Sequence, residues 1–202
     1  VKKLVFDDRK LSMQELVQAL DSDFSGERGE KIRRLCLAAP KYGQEIDEAD
    51  ELVRDIGKFT GSVIKSAKNI WGYPFGIARD GHSWHFANGK KLGALPSGRK
   101  AREPLPDGSL SPMSGIETQG PTAVLNSALK ADFREAANGI LNLKFPGFLF
   151  KSKGSADRLI DLIEAFLRAG GTYIQFNILD KELLLEAMRH DITGCHFADA
   201  DV

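Results

Sequence analysis

Residues 97 to 112 read SGRKAREPLPDGSLSP, with three prolines, two glycines and three cations in sixteen positions. Gly98 and Gly108 permit backbone conformations closed to other residues. Arg99, Lys100 and Arg102 offer donors for an anion. A helix is predicted to open soon afterwards at GPTAVLNS, and a helix start presents free N–H groups to negative charge. These residues fit an anion-binding or active-site loop. They also fit an ordered surface connection, because ordinary loops collect Gly and Pro as well, and composition leaves both readings open.

Other candidate groups are scattered. Gln175 and Asn177 fall on one side of an alternating segment, TYIQFNIL. They could line a pocket or be satisfied structural groups. His82, His85, His190 and His196 share no metal-ligand spacing, and neither CxxC nor HExxH occurs. No metal site is expected. Cys36 falls within a predicted helix and reads as a small core residue. Cys195, between Gly194 and His196, is a reactive thiol only if exposed.

The elements that must position these groups follow from periodicity. Ser12 with Glu15 has capping-box spacing and opens a helix over residues 11–21, with Leu16, Val17 and Leu20 on its apolar face. A second helix is predicted from Gly29 to Ala38, stopping before Pro40. A third runs from Ile46 to Ala67, with Ala49, Leu52, Val53, Ile56, Phe59, Val63 and Ile64 on one stripe. Gly57 and Gly61 argue against its continuity. Residues 69–120 are rich in Gly and Pro, and Trp71, Tyr73, Phe75, Trp84, His85 and Phe86 give that stretch large groups to bury. Beyond it, a helix is predicted from Pro121 to Leu129, a strand from Gly139 to Phe145, and a helix from Ser155 to Ala169. The core face of that last helix is Leu159, Ile160, Leu162, Ile163, Phe166 and Leu167. A strand over 172–179 and a helix from Lys181 to Arg189 complete an α/β arrangement. The stretch 191–202 shows no element.

The 202 residues are 42% hydrophobic and 28% charged, with 28 cations balancing 28 acids. That balance gives no electrostatic argument for nucleic acid or an anionic membrane. No apolar run approaches the length of a bilayer span. The opening VKKLVFDDRK has no apolar stretch after its charges, so no signal peptide is expected and the expected location is the cytoplasm. Two cysteines suggest no disulfide framework. Starting at Val1 rather than Met, the chain reads as a fragment or a processed product.

Four ordered motifs carry a family resemblance. GALPSGRKAREPLPDGSLSP followed by GPTAVLNSALKADF resembles the C-terminal part of glycyl radical enzymes of the pyruvate formate-lyase-like superfamily. NGILNLKF and GGTYIQFNILDKELLLEAMRH resemble later segments of the same family, in the same order. KKLVFDD, LVQAL and CLAAPKYG resemble its upstream helices, so the likeness covers about residues 1–190. The wording GPTAVLNS favours the dehydratase, decarboxylase and lyase branches.

The resemblance implies part of a ten-stranded α/β barrel with a helical N-terminal segment. It divides the chain into a helical segment (1–68), an active-site-loop region (69–120), a C-terminal α/β part on the glycine radical side (121–190) and an atypical tail (191–202). It implies radical chemistry with no bound cofactor. A separate activating enzyme, dependent on S-adenosylmethionine and an iron–sulfur cluster, installs a glycyl radical. That radical passes to a cysteine, which abstracts hydrogen from substrate. Implied site residues are Gly98, Arg99, Glu103, Pro104, Asp107, Gly108, Ser111, Pro112, Gly120, Pro121, Thr122, Asn126, Ser127, Gln175 and Asn177. Implied partners are the missing N-terminal portion, the activating enzyme and a homodimeric mate.

Two departures qualify the likeness. Neither Cys36 nor Cys195 has the context of the family's cysteine loop. In the tail, Ile192-Thr193-Gly194-Cys195 only echoes the radical motif, leaving Gly194 as the sole radical-site candidate and an altered tail as the other reading. The chain alone is therefore expected to be inactive. Two further readings are a non-catalytic module or split subunit that docks with an N-terminal chain or a full-length homologue, and a folded remnant of a broken gene.

Overall fold

The computed structural model describes residues 1–78, 84–108, 110–131 and 139–189. His82, His190, Gly194, Cys195 and His196 lie outside the described residues. Two compact units interleave along the sequence. The first joins Val1–Lys41 to His82–Leu105, and the second joins Tyr42–Gly81 to Pro106–Val202.

The first unit is helical among its described residues. A π-helical turn, Lys2–Asp7, precedes α1 (Met13–Asp21), α2 (Gly26–Ala38) and the short α4 (Trp84–Gly89). The predicted capping box is present: Glu15 N–H donates to Ser12 Oγ at 3.2 Å, and Ser12 N–H donates to Glu15 Oε2 at 2.9 Å. The Ser12 bonds, joined by the Arg28 guanidinium, hold the Glu15 carboxyl below its usual range. Leu4, Leu11, Leu16, Ala19, Phe24, Ile32 and Cys36 form the core. Gly29 is dictated by that packing, since a Cβ there would lie 2.4 Å from the Phe24 carbonyl carbon. α2 starts three residues before the predicted Gly29, directly after Ser25. The Lys41 ammonium closes its other end, donating to the carbonyls of Leu37 at 3.2 Å and Ala39 at 3.1 Å. Cys36 is buried as expected, and burial pushes its thiol pKa up.

The second unit carries the α/β arrangement: α3 (Asp47–Ser66), α5 (Pro121–Lys130), β1 (Ile140–Phe145), α6 (Ser155–Arg168), β2 (Tyr173–Ile178) and α7 (Lys181–Arg189). β1 and β2 run parallel, from Ile140 opposite Tyr173 to Phe145 opposite Ile178, with α6 as the crossover. In this register Leu141, Leu143 and Phe145 share one face with Ile174, Phe176 and Ile178, whereas Asn142 and Lys144 share the other with Gln175 and Asn177. The apolar face meets Val124, Leu125, Ala128 and Phe166 in the core. The described residues show this two-stranded sheet and not a barrel.

The structure corrects several sequence expectations. α3 is one unbroken helix across Gly57 and Gly61. Gly61 is buried, and a Cβ there would come within 3.3 Å of Ile77 Cδ1. On the α3 stripe Leu52, Ile56, Phe59 and Val63 are exposed, and Val53 alone packs against the core cluster. In α6, Phe166 is buried and Leu162 half-buried against the core, but Ile160 and Leu167 are exposed. The aromatics of residues 69–86 have the size of buried groups, yet Trp71, Tyr73, Phe75 and Trp84 are exposed. Among the described residues no helix is long and apolar enough to cross a membrane.

Candidate functional site

The central loop is shared between the two units, and its two halves do different work. In the first unit Arg99 is 2% exposed. Its guanidinium donates to the carbonyls of Gly93 and Gly89 at 2.8 Å each, to Pro104 at 3.2 Å, and to Glu103. A planar fork of five donors suits such a cluster of carbonyls. The side chain is therefore a brace for residues 89–104, with its donors turned inward. Lys100 pairs with Glu30 at 2.9 Å, and its N–H donates to Glu103 Oε2 at 2.8 Å. Gly98 has φ +96°, and a Cβ there would lie 2.7 Å from the Leu37 side chain. Gly98, Arg99, Glu103 and Pro104 thus form a structural knot of the first unit.

In the second unit the rest of the loop walls a cleft of about 360 Å³. Asp107, Ser111, Pro112, Gly120 and Pro121 line one side, and the polar face of β1 lines the other through Asn142 and Lys144. Lys144 Nζ stands 3.6 Å from Asp107 Oδ2 across the cleft wall. Ser111 Oγ accepts the Asn142 N–H at 3.1 Å, and the Leu110 N–H donates to the Ile140 carbonyl at 3.1 Å. Gly108 makes this approach feasible. Its φ is +62°, and a Cβ would sit 3.2 Å from both the Ile140 carbonyl oxygen and Ser111 Oγ. Gly120, with φ +85°, turns the chain into Pro121 at the first turn of α5.

The remaining candidates divide. Gln175 and Asn177 lie on the sheet face of Asn142 and Lys144, one strand further from the loop. Thr122 is exposed on α5. Asn126 and Ser127 are turned toward the segment that enters α3. Asn126 Nδ2 donates to Glu45 Oε1 at 2.8 Å, and Ser127 Oγ accepts the Glu45 N–H at 2.9 Å. Gly194 lies outside the described residues.

Asn142 and Lys144 are cleft residues that sequence reasoning missed, although NGILNLKF stands out as a motif. Their alternation with Leu141 and Leu143 is the available signal: a polar pair on one face of a strand that is otherwise apolar. The cleft therefore offers the carboxylates of Asp107 and Glu117, the Lys144 ammonium and the Ser111 and Ser114 hydroxyls, beside apolar Pro112, Val124 and Phe145. Such a site can orient a small polar molecule through hydrogen bonds while limiting its contact with water. Among the described residues no cluster of His, Cys, Asp and Glu could hold a metal ion.

Two family models match in succession: Pyruvate formate lyase-like over residues 1–78 and Glycine radical over residues 107–196. The chain is 33% identical over 190 residues to the trans-4-hydroxy-L-proline dehydratase of Clostridioides difficile, covering 94% of this chain and 24% of that protein. It is 35% identical over 192 residues to the isethionate sulfite-lyase of Nitratidesulfovibrio vulgaris, covering 94% and 23%. The crystal structure of the Clostridioides difficile hydroxyproline dehydratase with trans-4-hydroxy-L-proline bound superposes with a TM-score of 0.89 at 32% identity, over 96% of this chain and 25% of that one. The chain thus spans about a quarter of the length of these relatives. With both models matched in order and the fold shared with a solved member, the chain belongs to the glycyl radical enzymes of the pyruvate formate lyase-like family.

Proposed function

We propose that this chain is the C-terminal portion of a cytoplasmic glycyl radical enzyme of the dehydratase, lyase or decarboxylase branch, and that it supplies one wall of the active site. The observation that carries this reading is the cleft of the second unit. There the Asp107–Pro112 stretch and the Gly120-Pro121 turn close on Asn142 and Lys144. In this proposal Asp107 and Lys144 orient polar groups of the substrate, with Gln175 and Asn177 extending the polar wall. Arg99, Glu103, Asn126 and Ser127 act by holding the scaffold. The radical belongs to a glycine modified by an activating enzyme that carries the iron–sulfur cluster, and no described residue is assigned that role. The rest of the parent polypeptide provides the cysteine, the remaining barrel strands and the homodimeric assembly, so the chain alone is inactive.

The first test is the mass of the native polypeptide in its source cells, read with an antibody to this region. A band several times larger than 22.2 kDa, with a glycyl radical signal after anaerobic activation, is expected. A band at 22.2 kDa overturns the reading and leaves the alternative of a non-catalytic or split subunit. The exposed apolar stripe of α3 favours that second reading equally, since a docking module needs such a surface. Recovery of an activatable radical with the long polypeptide separates the two. In that polypeptide Lys144→Met is expected to lower kcat/KM at least tenfold, without loss of the radical signal.

A further inference from the structure

The loop over residues 110–117 walls the cleft through Ser111, Pro112, Ser114 and Glu117, yet it contains neither helix nor strand. Its position therefore comes from contacts with other segments. β1 supplies two of them, since the Leu110 N–H donates to the Ile140 carbonyl and the Asn142 N–H to Ser111 Oγ. Others come from a short strap, Tyr42 to Glu45, which does not line the cleft. The Tyr42 hydroxyl donates to the Leu110 carbonyl at 2.9 Å, and the Gln44 side-chain amide to the Ile116 carbonyl at 3.3 Å. Gly43 lies so close to Pro112 that a Cβ on it would stand 2.4 Å from Pro112 Cβ. Gly43 and Glu45 have left-handed backbones, at φ +96° and +57°. A residue other than glycine keeps that conformation only where its surroundings over-determine it. For Glu45 the surroundings are α5: Ser127 Oγ accepts its N–H, and Asn126 donates to its carboxylate.

We infer that Tyr42 and Gln44 are positioning residues of the cleft: by holding the Leu110 and Ile116 carbonyls they set where the Ser111–Glu117 wall stands against Asn142 and Lys144. The Leu110 residue shows the arrangement most directly, with its N–H tied to β1 and its C=O tied to the strap. Without the strap the loop keeps its β1 bonds alone, and a loop held on one side opens locally at low cost. The two strap bonds span 68 and 72 residues of chain, so no local pattern announces them. The bearing of the strap on turnover rests on the function proposed above, in which this cleft orients the substrate. A misplacement of about 1 Å, caused far from the reacting atoms, lowers a rate about a hundredfold. A strap that fixes one wall of the cleft therefore matters more to geometry than to stability.

The test is hydrogen exchange in the native polypeptide, whatever its length, with Tyr42→Phe and Gln44→Met. The Leu179 amide, which donates to the Phe145 carbonyl at 3.2 Å, is the reference for opening of the sheet. Tyr42→Phe is expected to speed exchange at Leu110 and Asn142 about tenfold, the weight of one hydrogen bond, with Leu179 unchanged. Gln44→Met should do the same at Ile116, whose N–H donates within the loop to the Met113 carbonyl. A strap that only stabilised the fold would act as Phe166→Leu should. That substitution in the core, on α6, speeds the loop and sheet amides together. Acceleration of Leu179 in step with Leu110 overturns the inference, as does no change at Leu110, Asn142 and Ile116. Turnover is the second readout. With the glycyl radical signal retained, kcat/KM of both variants is expected to fall at least fivefold for the substrate that the polypeptide turns over. Unchanged turnover beside faster loop exchange supports the strap's hold on the wall and overturns the role of the cleft in the proposed function.

Discussion

The Ser127 hydroxyl donates to the Asp50 carboxylate at 3.0 Å, and both residues are fully buried. Ser127 lies on α5 and Asp50 on α3, so this bond pins the two helices together. Lys130 reinforces it from the protein surface, donating to Asp50 at 3.2 Å and to Asp47 at 2.6 Å. One Asp50 oxygen, Oδ1, has no hydrogen-bond partner among the described residues. Removing one member of a buried charged network leaves the others uncompensated. Asp50→Ala is expected to cost about 3 kcal/mol, and Ser127→Ala about 1–3 kcal/mol. In a urea titration the double variant should cost less than the sum of the two, because they share one bond.

Arg99 gives a prediction opposite to its reading as an anion ligand. As a brace for four carbonyls it cannot be replaced by lysine, whose point charge cannot span the cluster. Arg99→Lys is expected to lower stability by about 2–3 kcal/mol. Phosphate and sulfate should shift the melting temperature of the wild type and the variant equally. A wild-type-specific stabilisation by anions would reverse this assignment.

Gly108 combines a left-handed backbone with close neighbours that a side chain would have to displace by a few tenths of an ångström. Gly108→Ala should cost about 1–2 kcal/mol from the backbone alone. It should also push the Asp107–Ser111 stretch away from β1. Faster exchange of the Leu110 and Asn142 amides would report that displacement. The same substitution at Gly72, also at positive φ but with nothing near its Cβ position, should show the backbone penalty without this opening.

Cys36 is shut off by burial, which raises its pKa above the ordinary thiol value. The folded state therefore favours the neutral thiol. Its contribution to stability is complete below the unfolded thiol's pKa and is lost as pH rises from there through the folded pKa. Under native conditions the Cys36 peptide should resist alkylation at about pH 8, near the ordinary thiol pKa, and react fully in urea. Urea midpoints between about pH 8 and 10 should fall more steeply in the wild type than in Cys36→Ala. Rapid native alkylation would show that the α1–α2 core opens readily.

Local signals were the ones the sequence revealed well. Ser12 with Glu15 located α1, and alternation located β2, because capping and strand periodicity involve neighbours a few residues apart. What failed was the assignment of the whole α6 face to this chain's own core. Ile160 and Leu167 have the spacing of a buried face yet are exposed, because periodicity cannot say whose surface a face meets. Trp71 and Tyr73 misled in the same way. The role of Arg99 was hidden for a different reason: whether a cation binds an anion or its own backbone depends on carbonyls that only the fold brings together. The cleft was half legible. Its loop side was visible as Gly and Pro punctuation, while Asn142 and Lys144 needed the register of a strand pair to come into view.

The interleaving of the two units has a consequence for synthesis on the ribosome. Arg33 on α2 donates to the Gly98 carbonyl at 2.9 Å, across 65 residues of chain. Helices α1 and α2 therefore emerge well before the loop that completes their unit, by an interval on the order of seconds at ordinary elongation rates. Meanwhile residues 42–81, which belong to the other unit, must be made and kept from settling on the waiting core. The apolar stripe of α3 emerges in that window. Nascent-chain handling, rather than final stability, would then be what a more polar α3 changes first.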